Sequence, residues 1–232
     1  VMQQDGNVFR MNIAIDGPAG AGKSTVARKV AGQLGYIYID TGAMYRAVTL
    51  SALRNRVEPE NSAALSEHAK TLNIVLRPGE HGQLVYLNGE DVTDLIRSRE
   101  VTLSVSQVAA NETVRSVLTD MQRKLAQDKG VVMDGRDIGT SVLPNAELKV
   151  FLTASVQERA LRRYREIGLS QGITLEQLEK EIASRDKLDA ERDISPLVCA
   201  DDAIVLDSTS MSIDEVAAAI VNLSRTKLAE AK

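Results

Sequence analysis

Gly17-Pro18-Ala19-Gly20-Ala21-Gly22-Lys23-Ser24-Thr25 decides how this chain folds. The stretch fills every fixed position of G-x-x-x-x-G-K-[ST]. It lies between the apolar run Met11-Asn12-Ile13-Ala14-Ile15 and the helix-forming run Val26-Ala27-Arg28-Lys29-Val30-Ala31. Strand, glycine loop and helix in that order wrap a polyphosphate in backbone N–H groups, which requires a loop poor in Cβ atoms. The helix start adds N–H groups without internal partners and a dipole that favours an anion. Lys23 is expected on the outer phosphates and the Ser24 hydroxyl on Mg²⁺. Glycine-rich turns can be purely structural, a reading that the complete pattern in this frame argues against. The stretch predicts a nucleoside triphosphate site.

Composition bounds the rest. The 232 residues suit one α/β domain with room for an inserted lobe. A net charge of −4 and 3% aromatic residues leave neither a global basic field nor stacking platforms for nucleic acid. Any anion site must therefore be a local cluster of positive charge. Cys199 is the single cysteine, which suits a reducing compartment; between Val198 and Ala200 it reads as a buried apolar thiol. No run of about 18 apolar residues and no signal-peptide pattern occurs, so no membrane partner and a cytoplasmic location are expected. Residues 1–10 lack periodicity and are expected to be a disordered extension.

Further along, Tyr36-Ile37-Tyr38-Ile39-Asp40 reads as a strand and Ala43 to Arg54 as a helix. Ser62–Lys70 reads as another helix. Leu72 to Arg77 and Gln83 to Leu87, around Pro78-Gly79-Glu80-His81-Gly82, then read as a β-hairpin, followed by the tight-turn pair Asn88-Gly89. This antiparallel ribbon marks an inserted lobe over 63–105, with 11–62 and 106–232 as the core. Helix is expected from Leu103 to Lys129, and strands at Val131-Val132-Met133, Leu148 to Leu152 and Ala203 to Asp207. Ser155-x-x-Glu158, Thr174-x-x-Gln177 and Ser212-x-x-Glu215 read as capping boxes, the last opening a helix with Val216, Ala219, Ile220 and Leu223 on one face. Strands alternating with helices imply a parallel main sheet.

The charged residues narrow the chemistry. No guanine-reading Asn-Lys-x-Asp is present, and motors usually need a longer chain. Instead arginines crowd predicted strand ends and helix stripes: Arg46, Arg136, the set Arg159, Arg162 and Arg163 on one side of a helix, and the stripe Arg185, Asp189, Arg192. Such a stripe is usually a solvated, salt-bridged face. Several of them beside a phosphate loop answer a different demand. Bringing a second phosphate up to ATP sets two polyanions together, and arginine forks bind phosphate bidentately at any physiological pH. Phosphoryl transfer is mainly positioning and charge neutralisation, and a phosphate acceptor is already an anionic nucleophile. No general base is then required; His68 and His81 read as solvated. Asp16, Asp40 and Asp134 are candidates to hold metal-bound water. The residues alone reach a small-metabolite or nucleotide kinase. Uridylate or sugar-acid kinases and a non-catalytic ATP-binding regulator stay open.

Ile13-Ala14-Ile15-Asp16-Gly17-Pro18, Asp40-Thr41-Gly42-Ala43-Met44-Tyr45-Arg46, Ser106-Gln107-Val108-Ala109-Ala110, Asp134 to Thr140 and Ile194-Ser195-Pro196-Leu197 resemble the bacterial cytidylate kinases. The resemblance runs from about Met11 to the C-terminus. It implies an α/β P-loop kinase with a five-stranded parallel core flanked by helices, a small antiparallel monophosphate-binding lobe and a short lid. The lid would lie at about 160–185, where Tyr164 to Gly172 breaks the helical pattern. The implied activity is Mg²⁺-dependent transfer from ATP to CMP or dCMP by a monomer. The resemblance places Ser106, Arg115 and Asp137 on cytosine, and Arg46, Arg136 and Arg192 on the acceptor phosphate. Arg185 and Asp189 go to the ribose, and Thr41 and Tyr45 to the acceptor pocket. It assigns Lys23, Arg136 and Arg192 to catalysis and Arg159 and Arg163 to the ATP phosphates.

Overall fold

The computed structural model describes residues 10–80, 82–168 and 172–230. The expected extension, Arg10 apart, lies outside these residues, as do His81 and 169–171 of the expected lid. The chain runs β1 (Asn12–Asp16), α1 (Lys23–Leu34), β2 (Ile37–Asp40), α2 (Thr41–Arg54) and α3 (Ser62–Lys70). It continues through β3 (Ile74–Gly79), β4 (Gly82–Leu87), β5 (Glu90–Asp91), α4 (Arg99–Ala109) and α5 (Glu112–Leu125). β6 (Val131–Gly135), β7 (Leu148–Thr153), α6 (Val156–Arg163), α7 (Leu175–Glu191), β8 (Ile204–Asp207) and α8 (Ile213–Glu230) complete it.

Five strands form the parallel sheet, in the order β2-β6-β1-β7-β8. β1 and β6 are buried along their whole length, as the central strands of a sheet covered on both faces must be. Register aligns Ile15 and Asp40 with Asp134, and Asp16 with Gly135. Three carboxylates therefore stand at the carboxyl ends of neighbouring strands, where open α/β sheets bind ligands. Behind the sheet, Val26, Ala27, Val30 and Ala31 of α1 pack with Val216, Ala217, Ile220 and Val221 of α8. The buried stripe of α8 is turned from the expected one, since Ala219 and Leu223 are only half-buried.

β3, β4 and β5 form the antiparallel sheet. Asn88 and Gly89 both adopt positive φ, 50° and 89°, as a two-residue hairpin turn requires. The ribbon shares one apolar cluster with α2, α3, α4 and α5, containing Met44, Leu65, Val85, Ile96, Val108 and Leu118. That cluster runs across positions 63 and 105.

The helical material expected over 103–129 forms two helices, α4 and α5. Asn111 ends the first and caps the second: its Oδ1 accepts from Val114 N at 3.0 Å, and its Nδ2 donates to Ser62 O. The resulting bend brings Ser106 and Arg115 to one cavity. Thr174 with Gln177, and Ser212 with Glu215, close reciprocal capping boxes. At Ser155 only half forms, because the Glu158 carboxylate turns to Arg162 at 2.9 Å. Cys199 is exposed, contrary to expectation, since it lies in an irregular segment beside Val198 with no apolar layer above it. His68 is not fully solvated: it is half-buried, its Nε2 2.9 Å from Ser51 Oγ.

Candidate active site

The phosphate loop explains its own glycines. A Cβ on Gly17 would sit 1.9 Å from the Leu152 carbonyl oxygen, so the loop touches β7 at a point that admits no side chain. Gly22 holds φ 86° at the N-cap of α1, a left-handed conformation that aims the next N–H groups outward. Gly20 is exposed at the crest, while Pro18, Ala19 and Ala21 are buried and Thr25 is exposed on the first helical turn.

Lys23 is not an exposed loop lysine. It is only 6% exposed, and its Nζ donates to Pro18 O at 2.7 Å. Burial, then the nearby Arg136 and Arg185, push its pKa well below the usual lysine range, against the pull of Asp134 and Asp16. A cation so placed lacks an anion, and the loop around it is built to receive one.

The strand-end carboxylates separate by their partners. Asp16 spends both oxygens on backbone N–H groups, Ile138 at 2.8 Å and Gly139 at 2.7 Å, which ties the loop to the segment after Asp137. Asp40 caps α2 through Ala43 N at 2.9 Å. Asp134 alone of the three meets the loop serine, accepting from Ser24 Oγ at 2.9 Å. Burial and the neighbouring Asp40 raise its pKa to about 7, against Lys23, Ser24 and Tyr38. One hydroxyl backed by one carboxylate suits Mg²⁺, which keeps most of its water. No group of three or more His, Cys, Asp or Glu able to cage a metal exists among the described residues.

Tyr38 is a site residue the sequence reading missed. Its hydroxyl donates to Asp134 Oδ1 at 3.0 Å and fixes the carboxylate's orientation. The available signal was strand alternation, which puts Tyr38 on the same face of β2 as Asp40. Gln83 is a second omission: its Oε1 accepts from Asp40 N at 3.1 Å, tying β4 to the end of β2. Arg97, 3.7 Å from Asp40 Oδ2, is a third.

Across from the loop lies a cavity lined by Thr41, Tyr45, Ser106, Arg115, Arg136, Asp137, Arg185, Asp189 and Arg192. Nine of the ten residues expected around the acceptor line it together. Arg46 stands outside the lining, donating to Thr102 Oγ1 at 2.8 Å and Ile96 O at 3.3 Å. The Thr41 hydroxyl donates to Asp134 O at 2.7 Å. Arg115 and Asp137 form a buried pair, Nη2 to Oδ2 at 2.5 Å, with Arg192 Nη2 3.8 Å from the other oxygen. The Arg115 guanidinium also lies 5.2 Å from the Tyr45 ring centre, a cation–π distance. Arg136 Nε and Ser106 Oγ both donate to Asp189, at 2.8 and 3.1 Å. Arg192 Nε donates to the carbonyl of Ser195, whose φ is 49°.

The cavity is short of negative charge. Burial and the proximity of Arg136 and Arg46 lower the Arg185 pKa to about 9, against Asp189 and Asp186. Burial, opposed by Asp40 and joined by Arg97, Arg163 and Arg136, lowers that of Arg46 to about 10. The buried Arg185 Nε and Arg192 Nη2 make no hydrogen bond among the described residues. Crowded cations with unused donors are an anion site.

The arginines of α6 do not share one face of use. Arg159 is buried beneath the loop, donating to Ala154 O and Ala19 O at 2.9 Å and pairing with Asp186 at 2.7 Å. Arg162 turns to Ser208 O at 2.6 Å. Arg163 pairs with Glu166 at 3.0 Å on the surface.

Known proteins resemble the chain over nearly its whole length. A cytidylate kinase of Exiguobacterium sibiricum is 57% identical over 220 residues, covering 94% of this chain and 99% of the relative. One of Bacillus cereus is 56% identical over 216 residues, covering 92% and 96%. Among solved structures, an uncharacterised protein of Eubacterium ventriosum, 12% identical, superposes with a TM-score of 0.50 over 94% of this chain and 99% of its own, a likeness of fold. The family model for cytidylate kinase matches residues 13–226, and with relatives of such identity over nearly the whole length, the chain belongs to the cytidylate kinase family.

Proposed function

We propose that the protein transfers the γ-phosphoryl group of ATP to the phosphate of CMP or dCMP. The carrying observation is that loop and cavity meet at Asp134, whose carboxylate accepts from Ser24 of the loop and whose carbonyl accepts from Thr41 of the cavity lining, while Arg136 and Arg185 stand near enough to oppose the charge on Lys23. Two anion sites thus abut, as donor and acceptor phosphates in line require. Arg136 and Arg192 hold the acceptor phosphate, with Arg46 reaching it from outside the cavity lining; Arg185 and Asp189 hold the ribose, and Lys23 follows the migrating charge. Tyr45 closes the base pocket, and residues 63–105 form the acceptor lobe. Arg163 is the lid arginine, while Arg159 supports the ATP loop through Ala19. Ser24 holds Mg²⁺, with Asp134 and Tyr38 behind it; the ion, when bound, neutralises phosphate oxygens. We read the protein as a cytoplasmic monomer acting on small molecules. Among the described residues no helix is long and apolar enough to cross a membrane.

Coupled ADP assays with ATP and CMP, dCMP, UMP, shikimate or no acceptor test this assignment. CMP and dCMP should give the highest kcat/KM, and ATP alone should give little. Preference for UMP or shikimate, or binding without turnover, would replace it. EDTA should abolish turnover and excess Mg²⁺ should restore it; turnover that survives complete metal removal refutes the metal assignment.

Base choice follows from acceptors. Cytosine offers an amino donor where uracil offers a carbonyl, and Asp137 and Ser106 supply lone pairs to the amino group. Arg115 donates, in this reading, to the ring carbonyl that both bases share. Ser106→Ala should narrow the CMP-over-UMP ratio of kcat/KM, with about 1–3 kcal/mol lost for CMP. Arg115→Ala should lower both substrates more nearly alike. If Ser106→Ala lowers both equally, the serine only packs α4.

A further inference from the structure

Ser106 on α4 and Asp189 on α7 meet across the cavity, hydroxyl to carboxylate, at 3.1 Å. Both are buried, 8% and 4% exposed. The other Asp189 oxygen accepts from Arg136 Nε. A serine hydroxyl carries one proton and two lone pairs, and an ionised carboxylate can only accept. Burial works against charge on Asp189, but Arg136 and Arg185 outweigh it and hold its pKa below the ordinary carboxylate range. The proton in this contact is therefore the serine's own.

We propose that Asp189 is a specificity-positioning residue: by taking the Ser106 proton it leaves the hydroxyl only lone pairs to show the base. The inference rests on the reading of Ser106 as a base contact and adds what gives that contact its sign. A hydroxyl free to turn accepts from an amino group or donates to a carbonyl, so alone it scarcely separates cytosine from uracil. Held by Asp189, it accepts from the cytosine amino group and sets a lone pair against the uracil carbonyl. Asp137 adds the same sign from the other side, since its oxygens accept from Arg115 and face Arg192 and offer the base lone pairs. An aspartate that also holds ribose would thus choose the base without touching it.

The ratio of kcat/KM for CMP over UMP tests this, because loss of ribose or phosphate contacts cancels in it. In Asp189→Asn the amide can donate to Ser106 Oγ, which frees the hydroxyl proton to face the base. Activity should fall with both substrates, and the CMP-over-UMP ratio should shrink about tenfold or more. In Ser106→Ala the same Asp189→Asn change should leave the ratio where Ser106→Ala alone puts it. Equal losses for CMP and UMP in Asp189→Asn, with the ratio unchanged, would confine Asp189 to ribose and support and would overturn the proposal. A ratio that moves with Asp189→Asn as much in the alanine background as in wild type would also overturn it. If Ser106→Ala alone leaves the ratio unchanged, the base reading itself fails, a different outcome. Melting curves establish that each variant is folded; if Asp189→Asn is not, Asp189→Ala, which also strips the acceptor, is read by the same ratio.

Discussion

Lys23→Met lowers turnover by about 10²–10³-fold or more, because the loop lysine follows charge onto the phosphoryl oxygens and nothing else on α1 can replace it. The apo melting temperature responds differently. Lys23 is buried beside Arg136 and Arg185, and those cations with burial make its charge costly in the folded state. Methionine removes that cost and forfeits one hydrogen bond, to Pro18 O. The two changes oppose each other, so at pH 7 the variant should melt within a few degrees of wild type or above it. The pH dependence has a definite sign. Lys23 has a folded pKa below its unfolded value of about 10.5, so between the two the unfolded chain binds more protons. Wild-type stability relative to Lys23→Met should therefore rise as pH goes up through the folded pKa toward 10.5, and be lost as pH falls. Thermal melts of both proteins from pH 6 to 10 check this. A flat difference would mean that the lysine is not desolvated, and a variant with more than a third of wild-type turnover would remove Lys23 from the mechanism.

What the sequence made legible divides along a physical line. A phosphate cradle is built from consecutive backbone N–H groups, so its residues must stand together, and Gly17 to Thr25 shows it. Strand ends were legible for the same local reason, since Asp40 and Asp134 close β-favouring runs. The order β2-β6-β1-β7-β8 depends on long-range pairing and was not. Nor were the roles of Asp16, Asp40 and Asp134, which look alike in sequence and differ only in what they touch. Tyr38 and Gln83 act through single hydrogen bonds to those carboxylate-bearing residues, a relation no local pattern encodes. The break at Asn111 was within reach, because an Asn before Glu112 and an apolar run is an N-cap signal that the long helical pattern masked. Arg159 shows the opposite limit. Its spacing put it on a stripe with Arg162 and Arg163, but only packing sets Arg159 alone of the three under the loop.

Asp137→Ala should cost the fold as well as the choice of base. Arg115 is 3% exposed and its nearest counter-charge is Asp137, at 2.5 Å. Its Nη1 donates to Ala109 O at 3.0 Å and its Nε has no hydrogen-bond partner, so among the described residues Asp137 is the only carboxylate paired with the guanidinium. Removing one member of a buried pair leaves an uncompensated charge, typically about 3–5 kcal/mol. For a chain of this size each kcal/mol moves Tm by about 2–4 °C, so a loss of about 6–20 °C is expected. Methionine at position 115 removes the orphaned charge, and Asp137→Ala/Arg115→Met should regain most of that Tm. Specificity should not return with it. Without the carboxylate the cytosine amino group loses its charged acceptor and uracil no longer meets a negative charge. The CMP-over-UMP ratio, which such a site can hold near about 10⁴, should then collapse in single and double variants alike. Calorimetry and the two kcat/KM values separate the parts. A Tm loss under about 3 °C in Asp137→Ala would mean that Asp189, which also favours charge on Arg115, takes over the pairing. A double variant that recovers both stability and preference for CMP would show that the carboxylate holds Arg115 in place and does not read the base.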